Sequence, residues 1–533
     1  MTDIAELVAE NIDIWTGAIQ RKSRAGRGGG RRISLYGVER LRALTLDLAV
    51  RGKLVPQDEG DEPAGELVGR SAKALQVAIA RGKFRAPAKI LMSTATPGLP
   101  KNWTATRLGA LVRVINGRAY KKQELLSSGT PVLRVGNLFT SNDWYYSDID
   151  LENDKYITDG DLIYAWSASF GPFIWQGGRV IYHYHIWKLE PHSEADTSRD
   201  FLRLFLQNET SAIKASGHGI AMLHMTKERM EQLAINLPPL AEQRRIVAKV
   251  DELMALCDAL ERESADAMAA HQALVENLLA TLMSSEDTAT LVTNWARLES
   301  HFDDLFTTDA SIESFKGAIV ELAVSGGFTN TNSAAFKQKR LRDLLVFGPK
   351  NGFSPRAVDY DTGIKSLSLS ATTKGNFDGL HYKFVDIETP DPESELWIKK
   401  GDILIQRANS LEYVGVSALY AGSDNSFIYP DLMMKVRFSA DVISEFAVIS
   451  LNSKPVRDYF RANASGTSGS MPKINQTTVL NATLQVPPLA EQRRIVAKVK
   501  ALMALCDALK ARLSDAAQTQ RHLADAITER AAA

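Results

Sequence analysis

The sequence predicts an α+β protein in which two α/β domains alternate with long helices, built as a pseudo-twofold internal repeat. The first observation is the string PPLAEQRRIVAKV, which starts at Pro238 and again at Pro487, 249 residues later. The second is that apolar residues at helical spacing follow each copy, and the third is that a strand-patterned block precedes each copy. A repeated motif indicates repeated structure, so the predicted order is helix, mixed domain and long helix, twice over.

Residues 1–95 form the predicted N-terminal arm and first spacer helix region. An apolar helical stretch ends here with DLAVRGKLV, Asp47 to Val55, which resembles ELAVSGGFT, Glu321 to Thr329, in the second half. Each string reaches a glycine, the usual helix stop. The basic, glycine-rich string GRGGGRR, Gly26 to Arg32, is expected to be a flexible linker.

Residues 100–237 and 337–486 form the two predicted mixed domains, called domain 1 and domain 2 below. Ile181 to Leu189, IYHYHIWKL, alternates in character as a strand does. GDLIYAWSAS, Gly160 to Ser169, parallels GDILIQRANS, Gly401 to Ser410. The two domains are therefore expected to share one fold with diverged surfaces.

Each domain has a basic and an acidic stretch, although the chain carries no net charge. Arg107 to Lys122 has five cations and no acid, whereas Asp143 to Asp161 has seven acids and one lysine. Lys337 to Arg356 and Asp386 to Asp402 repeat this layout in domain 2. A polarised domain can present one face to phosphates, but each run is equally compatible with an ordinary solvated face.

Residues 238–330 form the predicted central spacer with its long helix, and residues 487–533 the C-terminal spacer helix. Pro-Pro precedes each helix because proline is tolerated just before a helix and not inside one. The apolar residues then follow with the average spacing of a coiled-coil seam, so the two helices are expected to pack on each other. The predicted seams are Ile246, Val250, Leu253, Cys257, Leu260, Ala267, Leu274 and Leu278, and Ile495, Val499, Leu502, Cys506, Leu509, Leu513, Ala516, Leu523 and Ile527.

Composition and motifs exclude several classes of protein. The chain is 45% hydrophobic and 24% charged, as soluble globular proteins are, and its apolar runs are too short to span a membrane. The sequence has no P-loop, no HExxH and no CxxC, so neither catalytic residues nor a metal site are expected. His183 and His185 share a strand face without an evident third ligand, which favours a structural role over zinc. Two cysteines, both predicted to be buried seam residues, fit a cytoplasmic location.

The two blocks, each ending in LPPLAEQRRI or VPPLAEQRRI and a long helix, resemble the specificity subunit of type I restriction-modification systems. LAVRGKLVPQ, Leu48 to Gln57, is similar to that family's N-terminal spacer region. The resemblance covers nearly the whole chain. It implies two target-recognition domains separated by antiparallel coiled-coil helices, with each domain recognising one half of a split DNA sequence.

The resemblance also implies the partners of the chain. These are double-stranded DNA, two methyltransferase subunits docked on the helices, and restriction or translocase subunits. S-adenosylmethionine, ATP and Mg are expected on those partner subunits, and this chain is expected to bind no cofactor. The extended N-terminal arm departs from many family members, and its role as a partner contact or a DNA-backbone-binding tail stays open.

Candidate DNA contacts are residues of the basic stretches and of loops rich in small residues. Arginine, asparagine and serine can reach base edges, while lysine more often meets phosphate. The candidates of domain 1 are Asn116, Arg118, Lys121, Lys122, Ser167, Ser169, His218 and Lys227. Those of domain 2 are Lys350, Asn351, Arg356, Arg407, Asn409, Lys473 and Asn475.

Two arginine pairs at the helix starts, Arg244–Arg245 and Arg493–Arg494, are candidate partner-binding residues. They could also meet phosphates, but a solvated first helical turn or a contact with a protein partner is the favoured interpretation. The alternative function for the whole chain is a two-domain protein-interaction scaffold without DNA binding. A self-contained enzyme is disfavoured by the missing motifs.

Overall fold

The computed structural model describes residues 4–22, 32–81, 98–167, 170–215, 225–328, 336–466 and 471–532. The chain divides into two compact units. Unit 1 comprises Met1–Asp266 and Ala516–Ala533, and unit 2 comprises Ala267–Asp515. Each unit contains one mixed domain and a part of both long helices, as the internal repeat predicts.

Unit 1 combines the N-terminal arm, domain 1 and the first part of the central long helix. Its helices are α1 (Ile4–Glu10), α2 (Ile12–Gly17), α3 (Tyr36–Val50), α4 (Ala64–Ala80), α5 (Arg199–Ala215), α6 (Lys227–Glu231) and the start of α7 (Leu240–Met283). Its strands are β1 (Ile19–Lys22), β2 (Arg32–Leu35), β3 (Thr104–Arg107), β4 (Val112–Asn116), β5 (Thr130–Leu133), β6 (Tyr145–Ser147), β7 (Tyr156–Ile157), β8 (Leu162–Ala165), β9 (Gly171–Ile174), β10 (Val180–Tyr182), β11 (Ile186–Pro191) and β12 (Ala234–Leu237).

Unit 2 combines the rest of α7, domain 2 and most of the last helix. Its further helices are α8 (Thr288–Ser300), α9 (Phe302–Leu305), α10 (Asp309–Ser325), α11 (Ser444–Leu451), α12 (Lys454–Ala462), α13 (Gln476–Asn481) and α14 (Leu489–Ala532). Its strands are β13 (Lys337–Arg340), β14 (Leu345–Asn351), β15 (Ala357–Val358), β16 (Lys365–Leu367), β17 (Tyr382–Val385), β18 (Ile403–Gln406), β19 (Ser417–Leu419), β20 (Met433–Phe438) and β21 (Thr483–Val486).

The two domains have the same main sheet. Its strand order is β4-β11-β8-β9 in domain 1 and β14-β20-β18-β19 in domain 2, with antiparallel pairing throughout. A smaller sheet also corresponds, because β5 pairs in parallel with β10 and Ser366 of β16 makes a parallel bridge with Ile428. The prediction of one fold used twice is confirmed.

The predicted strand from Ile181 to Leu189 is wrong in one respect. The structure divides it into β10 and β11, with a turn at residues 183–185. The reason is that β10 belongs to the smaller sheet while β11 belongs to the main sheet. The alternating pattern continues through the turn, so it does not indicate the change of sheet.

The long helices α7 and α14 have 44 residues each and both begin at the leucine that follows Pro-Pro. The first part of the predicted seam is buried, including Ile246, Val250 and Leu253. Further along the prediction is wrong, because Leu274 is 52% and Leu523 is 44% exposed. An α-helix drifts by about 20° per heptad from a strict seven-residue repeat, so over four heptads the buried stripe moves by roughly one residue.

Each unit adds a third helix to the two long ones. In unit 1, Arg42 of α3 bonds Asp258 of α7 at 2.5 Å, and Arg40 of α3 bonds Asp525 of α14 at 2.8 Å. In unit 2, α10 has the same role. The residues of its core that come from α7, α10 and α14 include Val275, Leu279, Leu282, Ile312, Phe315, Ile319, Ile495, Val499 and Cys506.

This core joins the C-terminal part of α7 to the N-terminal part of α14, as expected for antiparallel helices. The helices α3 and α10 end in the two similar strings DLAVRGKLV and ELAVSGGFT, so the fainter sequence repeat marks the third helix of each unit.

Part of the N-terminal arm is folded onto the last turns of α14 within unit 1. Trp15 is fully buried, Arg521 donates to the backbone oxygen of Ile19 at 2.9 Å, and the Tyr36 hydroxyl donates to Asp525 at 2.8 Å. These contacts make the described part of the arm a packing element. Residues 26–31 of the predicted flexible linker lie outside the described residues.

Cys257 and Cys506 are both free and fully buried. Burial raises the pKa of each thiol to about 11, so both act as small apolar seam residues, as predicted. Among the described helices, none is long and apolar enough to cross a membrane.

Candidate nucleic-acid interface

Three segments meet at one end of the main sheet of domain 1 and form what we call strand-end surface 1: residues 116–118, 166–167 and 183–185. Backbone hydrogen bonds hold them together. Trp166 N donates to His185 O at 3.1 Å, Arg118 N to Tyr182 O at 3.0 Å, and Tyr184 N to Arg118 O at 3.1 Å. The side chains of this surface are therefore carried by a fixed backbone.

Aromatic and imidazole rings cover strand-end surface 1. Trp166 stacks on Trp187 with ring centroids 5.6 Å apart and meets the His185 ring edge-on at 5.1 Å. The Tyr184 ring lies 4.0 Å from His185 and 4.3 Å from His183. Because Tyr184 is 39% exposed, its ring reaches solvent while neighbouring rings restrict its position.

Burial lowers the pKa of both imidazoles, and His185 with Arg134 lowers that of His183 further. The neutral form of both rings therefore predominates at neutral pH, and in that form each ring offers one hydrogen-bond donor and one acceptor. Such groups suit base edges better than phosphates. In the described part of the chain, no group of three or more histidine, cysteine, aspartate or glutamate side chains is placed to hold a metal ion.

Several sequence-predicted contacts of domain 1 lie at or beside this surface. Asn116 ends β4, and it lines one cleft together with Lys227 at the start of α6. Arg118 bonds Glu124 at 2.7 Å. Lys121 and Lys122 are exposed on the turn that precedes Glu124.

Two further candidates of domain 1 lie outside the described residues, namely Ser169 and His218. Ser167 is half-buried next to Trp166. The structure thus brings Asn116, Arg118 and Ser167 to a common surface.

Domain 2 has a corresponding strand-end surface 2, formed by residues 351–354, 407–409 and 430–432. Phe353 N donates to Tyr429 O at 2.9 Å, and Arg407 N donates to Leu432 O at 2.8 Å. The Arg407 guanidinium donates to Asp431 O at 3.1 Å. Asp431 is itself held by Ser354, whose Oγ accepts from Asp431 N at 3.0 Å and donates to the Asp431 carboxylate.

The predicted contacts of domain 2 divide into two groups. Arg407, Asn409 and Lys473 come together, since Ala408 bridges to Lys473 and Asn409 N donates to Pro472 O at 3.3 Å. Asn351 ends β14 at the same surface.

The remaining candidates of domain 2 lie apart or have internal partners. Lys350 bonds Glu395 at 2.8 Å, and Arg356 is exposed. Asn475 is the N-cap of α13, with its side-chain oxygen accepting from Thr478 N at 2.8 Å. Thr226 caps α6 at the corresponding place of domain 1, so the Asn475 oxygen serves the fold.

A buried lysine–aspartate pair lies in the main sheet of each domain. Lys188 Nζ is 2.7 Å from Asp161 Oδ2 in domain 1, and Lys435 Nζ is 3.7 Å from Asp402 Oδ2 in domain 2. Lys188 pairs with Ile163 and Lys435 with Leu404 in the same register of the sheet. Buried charges need such partners, so the pair is a shared internal support.

The repeated PPLAEQ motif ties each long helix to its domain through a fully buried glutamine. Gln243 Nε2 donates to Pro238 O at 2.9 Å, and its Oε1 accepts from Ser198 N, just before α5, at 3.2 Å. Gln492 Nε2 donates to Pro487 O at 2.9 Å, and its Oε1 accepts from Ile443 N, just before α11, at 2.8 Å. The motif therefore fixes the junction between domain and helix.

The four candidate partner-binding arginines have different surroundings. Arg244 and Arg493 are exposed. Arg245 forms an ion pair with Asp61 at 2.6 Å, whereas Arg494 pairs with Glu491 one helical turn away and is 72% exposed. Arg245 is thus engaged within unit 1.

Sequence reasoning missed Trp166, Tyr184, Phe353 and Asp431 as candidate contacts. The signal for Tyr184 and Asp431 is an internal alignment, because IYHYHIWKL at Ile181 matches IYPDLMMKV at Ile428 at both ends and differs between them. The differing residues are those of the two strand-end turns.

Comparison with known proteins gives the family. The model described as "Type I restriction modification DNA specificity domain" matches residues 100–267 and 335–518. The chain is 31% identical to the Escherichia coli type I restriction enzyme EcoEI specificity subunit and 28% identical to that of EcoAI, covering 99% of both chains in each case. It is 22% identical to the Escherichia coli K12 EcoKI specificity subunit, over 81% of this chain and 89% of that one.

A solved structure supports the fold. It is titled "Structural basis underlying complex assembly and conformational transition of the type I R-M system" and matches with a TM-score of 0.51 at 17% identity, over 82% of this chain and 99% of that one. Family membership favours DNA recognition over the scaffold alternative. The chain belongs to the type I restriction-modification specificity subunits, the non-catalytic subunits that recognise the DNA sequence on which the complex acts.

Proposed function

We propose that domain 1 and domain 2 each recognise one half of a bipartite DNA target, through strand-end surfaces 1 and 2. The observation that carries this proposal is that the domains share a sheet order and a buried lysine–aspartate pair but differ at these surfaces. Two domains with the same fold and different strand-end surfaces suit two half-sites of different base sequence. Lys121 and Lys122 are exposed, and in this proposal they add contacts to phosphate.

The long helices dock two copies of a methyltransferase subunit in this proposal. Support comes from exposed leucines at equivalent positions of the repeat: Leu256 and Leu505 are 37% and 43% exposed, and Leu274 and Leu523 are 52% and 44% exposed. Large exposed apolar side chains grouped on a helix are typical of protein contacts. Equivalent positions on two matched helices suit two copies of one partner.

The chemistry of the complex lies with the partners in this proposal. The methyltransferases hold S-adenosylmethionine, and restriction subunits hold ATP and Mg. Arg244 and Arg493 are exposed in the first turns of the docking helices, and they are expected to meet acidic groups of the partners.

The test of the two-reader proposal is an exchange of residues 100–237 for the same block of a relative with a different target. Methylome sequencing of cells that carry the chimera and its methyltransferase is expected to show one changed half-site and one unchanged half-site. A target changed in both halves, or in neither, contradicts independent reading.

The docking proposal is tested with Leu256→Glu, Leu505→Glu and the double variant. Native mass spectrometry of the assembled complex is expected to show one methyltransferase fewer for each single variant and none for the double variant. Val292→Glu is the matched control, since Val292 is 62% exposed on α8. A folded double variant that binds two methyltransferases with unchanged affinity contradicts the proposal, and circular dichroism confirms the fold.

A further inference from the structure

Because the two domains share one fold, their residues can be compared position by position. The comparison shows which residues are common to both sheets and which differ at the strand-end surfaces. Asn116 lies opposite Trp187 in domain 1, and Asn351 lies opposite Met434 in domain 2. Trp187 and Met434 each precede the lysine of a buried pair. The two asparagines therefore occupy one position of the fold.

A glycine follows each of these asparagines because the backbone leaves no room for a side chain. A Cβ on Gly117 would lie 2.3 Å from His183 O, and one on Gly352 would lie 2.0 Å from Tyr429 O. The next residue then makes the same hydrogen bond in both domains, from Arg118 N to Tyr182 O and from Phe353 N to Tyr429 O. Arg118 and Phe353 are thus equivalent.

Two further equivalences follow from the backbone. Trp166 N donates to His185 O, and Arg407 N donates to Leu432 O, so Trp166 corresponds to Arg407. Tyr184 and Asp431 precede these acceptor residues and correspond to each other.

At these three positions the residue chemistry differs completely between the domains. Domain 1 has Arg118, Trp166 and Tyr184, and domain 2 has Phe353, Arg407 and Asp431. The backbone hydrogen bonds are the same and both domains keep a buried lysine–aspartate pair in the sheet, so the sheet itself does not require the difference. Tyr184 and Phe353 are exposed, and the other four residues are partly exposed. A change confined to solvent-accessible positions of a shared fold is expected of residues that select a ligand.

We infer that these three equivalent positions in each domain carry the base-specific contacts, with residue 407 contacting a guanine in the half-site of domain 2. The inference rests on the proposed function that each domain recognises one half-site.

The guanidinium of Arg407 is arranged for such a contact. Asp431 O accepts from Nη1 at 3.1 Å, and the Asp431 carboxylate lies 4.0 Å from it. Ser354 in turn holds Asp431. A guanidinium with a fixed plane can donate two parallel hydrogen bonds to O6 and N7 of guanine, the commonest arginine contact in the major groove.

Strand-end surface 1 offers a different set of contacts. The partly exposed Tyr184 ring is flanked by two uncharged imidazoles. Its apolar face can contact a thymine methyl group, and the imidazoles can each give or accept one hydrogen bond at base edges. Arg118, the arginine of this surface, forms an ion pair with Glu124 at 2.7 Å, so the half-site of domain 1 is expected to depend less on a guanine–arginine pair.

The test uses the full chain with its methyltransferase partners in cells. The wild-type methylome first defines the two half-sites. Arg407→Ala is then expected to relax one guanine position in one half-site, with discrimination at that base pair falling roughly tenfold to a hundredfold. Tyr184→Ala is expected to relax the other half-site. The matched controls are Arg461→Ala on α12 and Tyr145→Ala, since Tyr145 is 40% exposed in domain 1, and neither control is expected to change the target.

The outcomes separate the inference from the proposed function. If Arg407→Ala leaves the methylated sequence unchanged at full fidelity, the inference is wrong while the two-reader proposal stands. If it relaxes both half-sites, the two-reader proposal is wrong as well. If methylation is lost, the assembled complex is tested by competition between the wild-type target duplex and single-base variants, and unchanged discrimination overturns the inference. Arg407→Lys keeps the positive charge but lacks the paired donors of the planar guanidinium. It is also expected to lose discrimination at that base pair.

Discussion

Units 1 and 2 repeat the same motifs but support them with different neighbours. Glu242, in the first copy of PPLAEQ, accepts from Gln57 at 2.7 Å and from the Trp103 indole at 3.0 Å. Glu491, at the same place in the second copy, pairs with Arg494 of its own helix. The residues 51–63 that follow α3 cover the first helix start through Gln57 and Asp61.

The two identical copies of the PPLAEQ motif therefore have different surroundings in the two units. Burial raises the pKa of Glu242 above its ordinary value, although the hydrogen bonds from Gln57 and Trp103 act in the opposite direction. Arg245 is tied to Asp61, whereas Arg494 is mostly exposed. Variants made in matched pairs measure how far the two units differ.

The largest difference is expected at the buried aspartates. Asp402→Asn removes the carboxylate from two cations, because Arg437 bonds Asp402 at 2.6 Å and Lys435 lies 3.7 Å away. The expected loss in the free energy of unfolding is about 3–5 kcal/mol, the usual effect of breaking a buried ion pair. Asp161→Asn is expected to lose less, because Lys188 donates one hydrogen bond to Asp161 whereas Arg437 donates two to Asp402. The second cation of each aspartate lies 3.7 Å away in both domains. Urea unfolding of both variants checks the order, and a larger loss for Asp161→Asn contradicts it.

A smaller difference is expected at the motif glutamines. Gln492→Ala removes bonds to Pro487 O, Asp441 O and Ile443 N, and buried groups left without partners cost about 1–3 kcal/mol. Gln243→Ala removes bonds to Pro238 O and Ser198 N, so a loss about 1 kcal/mol smaller is expected. Hydrogen exchange at Ile443 and Ser198 follows the two junctions separately. Equal loss of amide protection at the two junctions would show that the third hydrogen bond, from Gln492 to Asp441 O, does not stabilise its junction.

The smallest difference is expected at the helix-start arginines. Arg245→Ala breaks a two-pronged, partly exposed pair with Asp61, which is worth about 1 kcal/mol. Arg494→Ala breaks an exposed pair within one helix and is expected to change stability by less than about 0.5 kcal/mol. Thermal unfolding of the two variants compares them. A larger effect at Arg494 would mean that its exposed pair is strengthened by neighbours.

The sequence predicted the parts of the fold that depend on local chemistry. Pro-Pro followed by heptad spacing located the starts of α7 and α14, because proline and amphipathic spacing act over a few residues. The seam at Leu274 was predicted wrongly, since a small angular drift accumulates along a helix. The turn at residues 183–185 was missed because membership of a sheet depends on distant strands.

The candidate site was predicted in part for similar reasons. Arg407 and Asn409 were found because a strand followed by polar residues places them at a sheet end. Asn475 was selected by residue type, which does not distinguish a helix cap from a base contact. Tyr184 and Asp431 were missed because their importance lies in their equivalence, which requires the register of both main sheets.

The state of the two cysteines has a practical consequence for chemical labelling. Both thiols are fully buried with a pKa of about 11, so at neutral pH neither offers a thiolate to a maleimide or an alkylating reagent. Cysteines introduced at exposed positions can therefore carry fluorophores or spin labels in the otherwise unaltered chain. Distances between such probes on the two domains can then be followed as DNA and partner subunits bind, without first replacing two core residues.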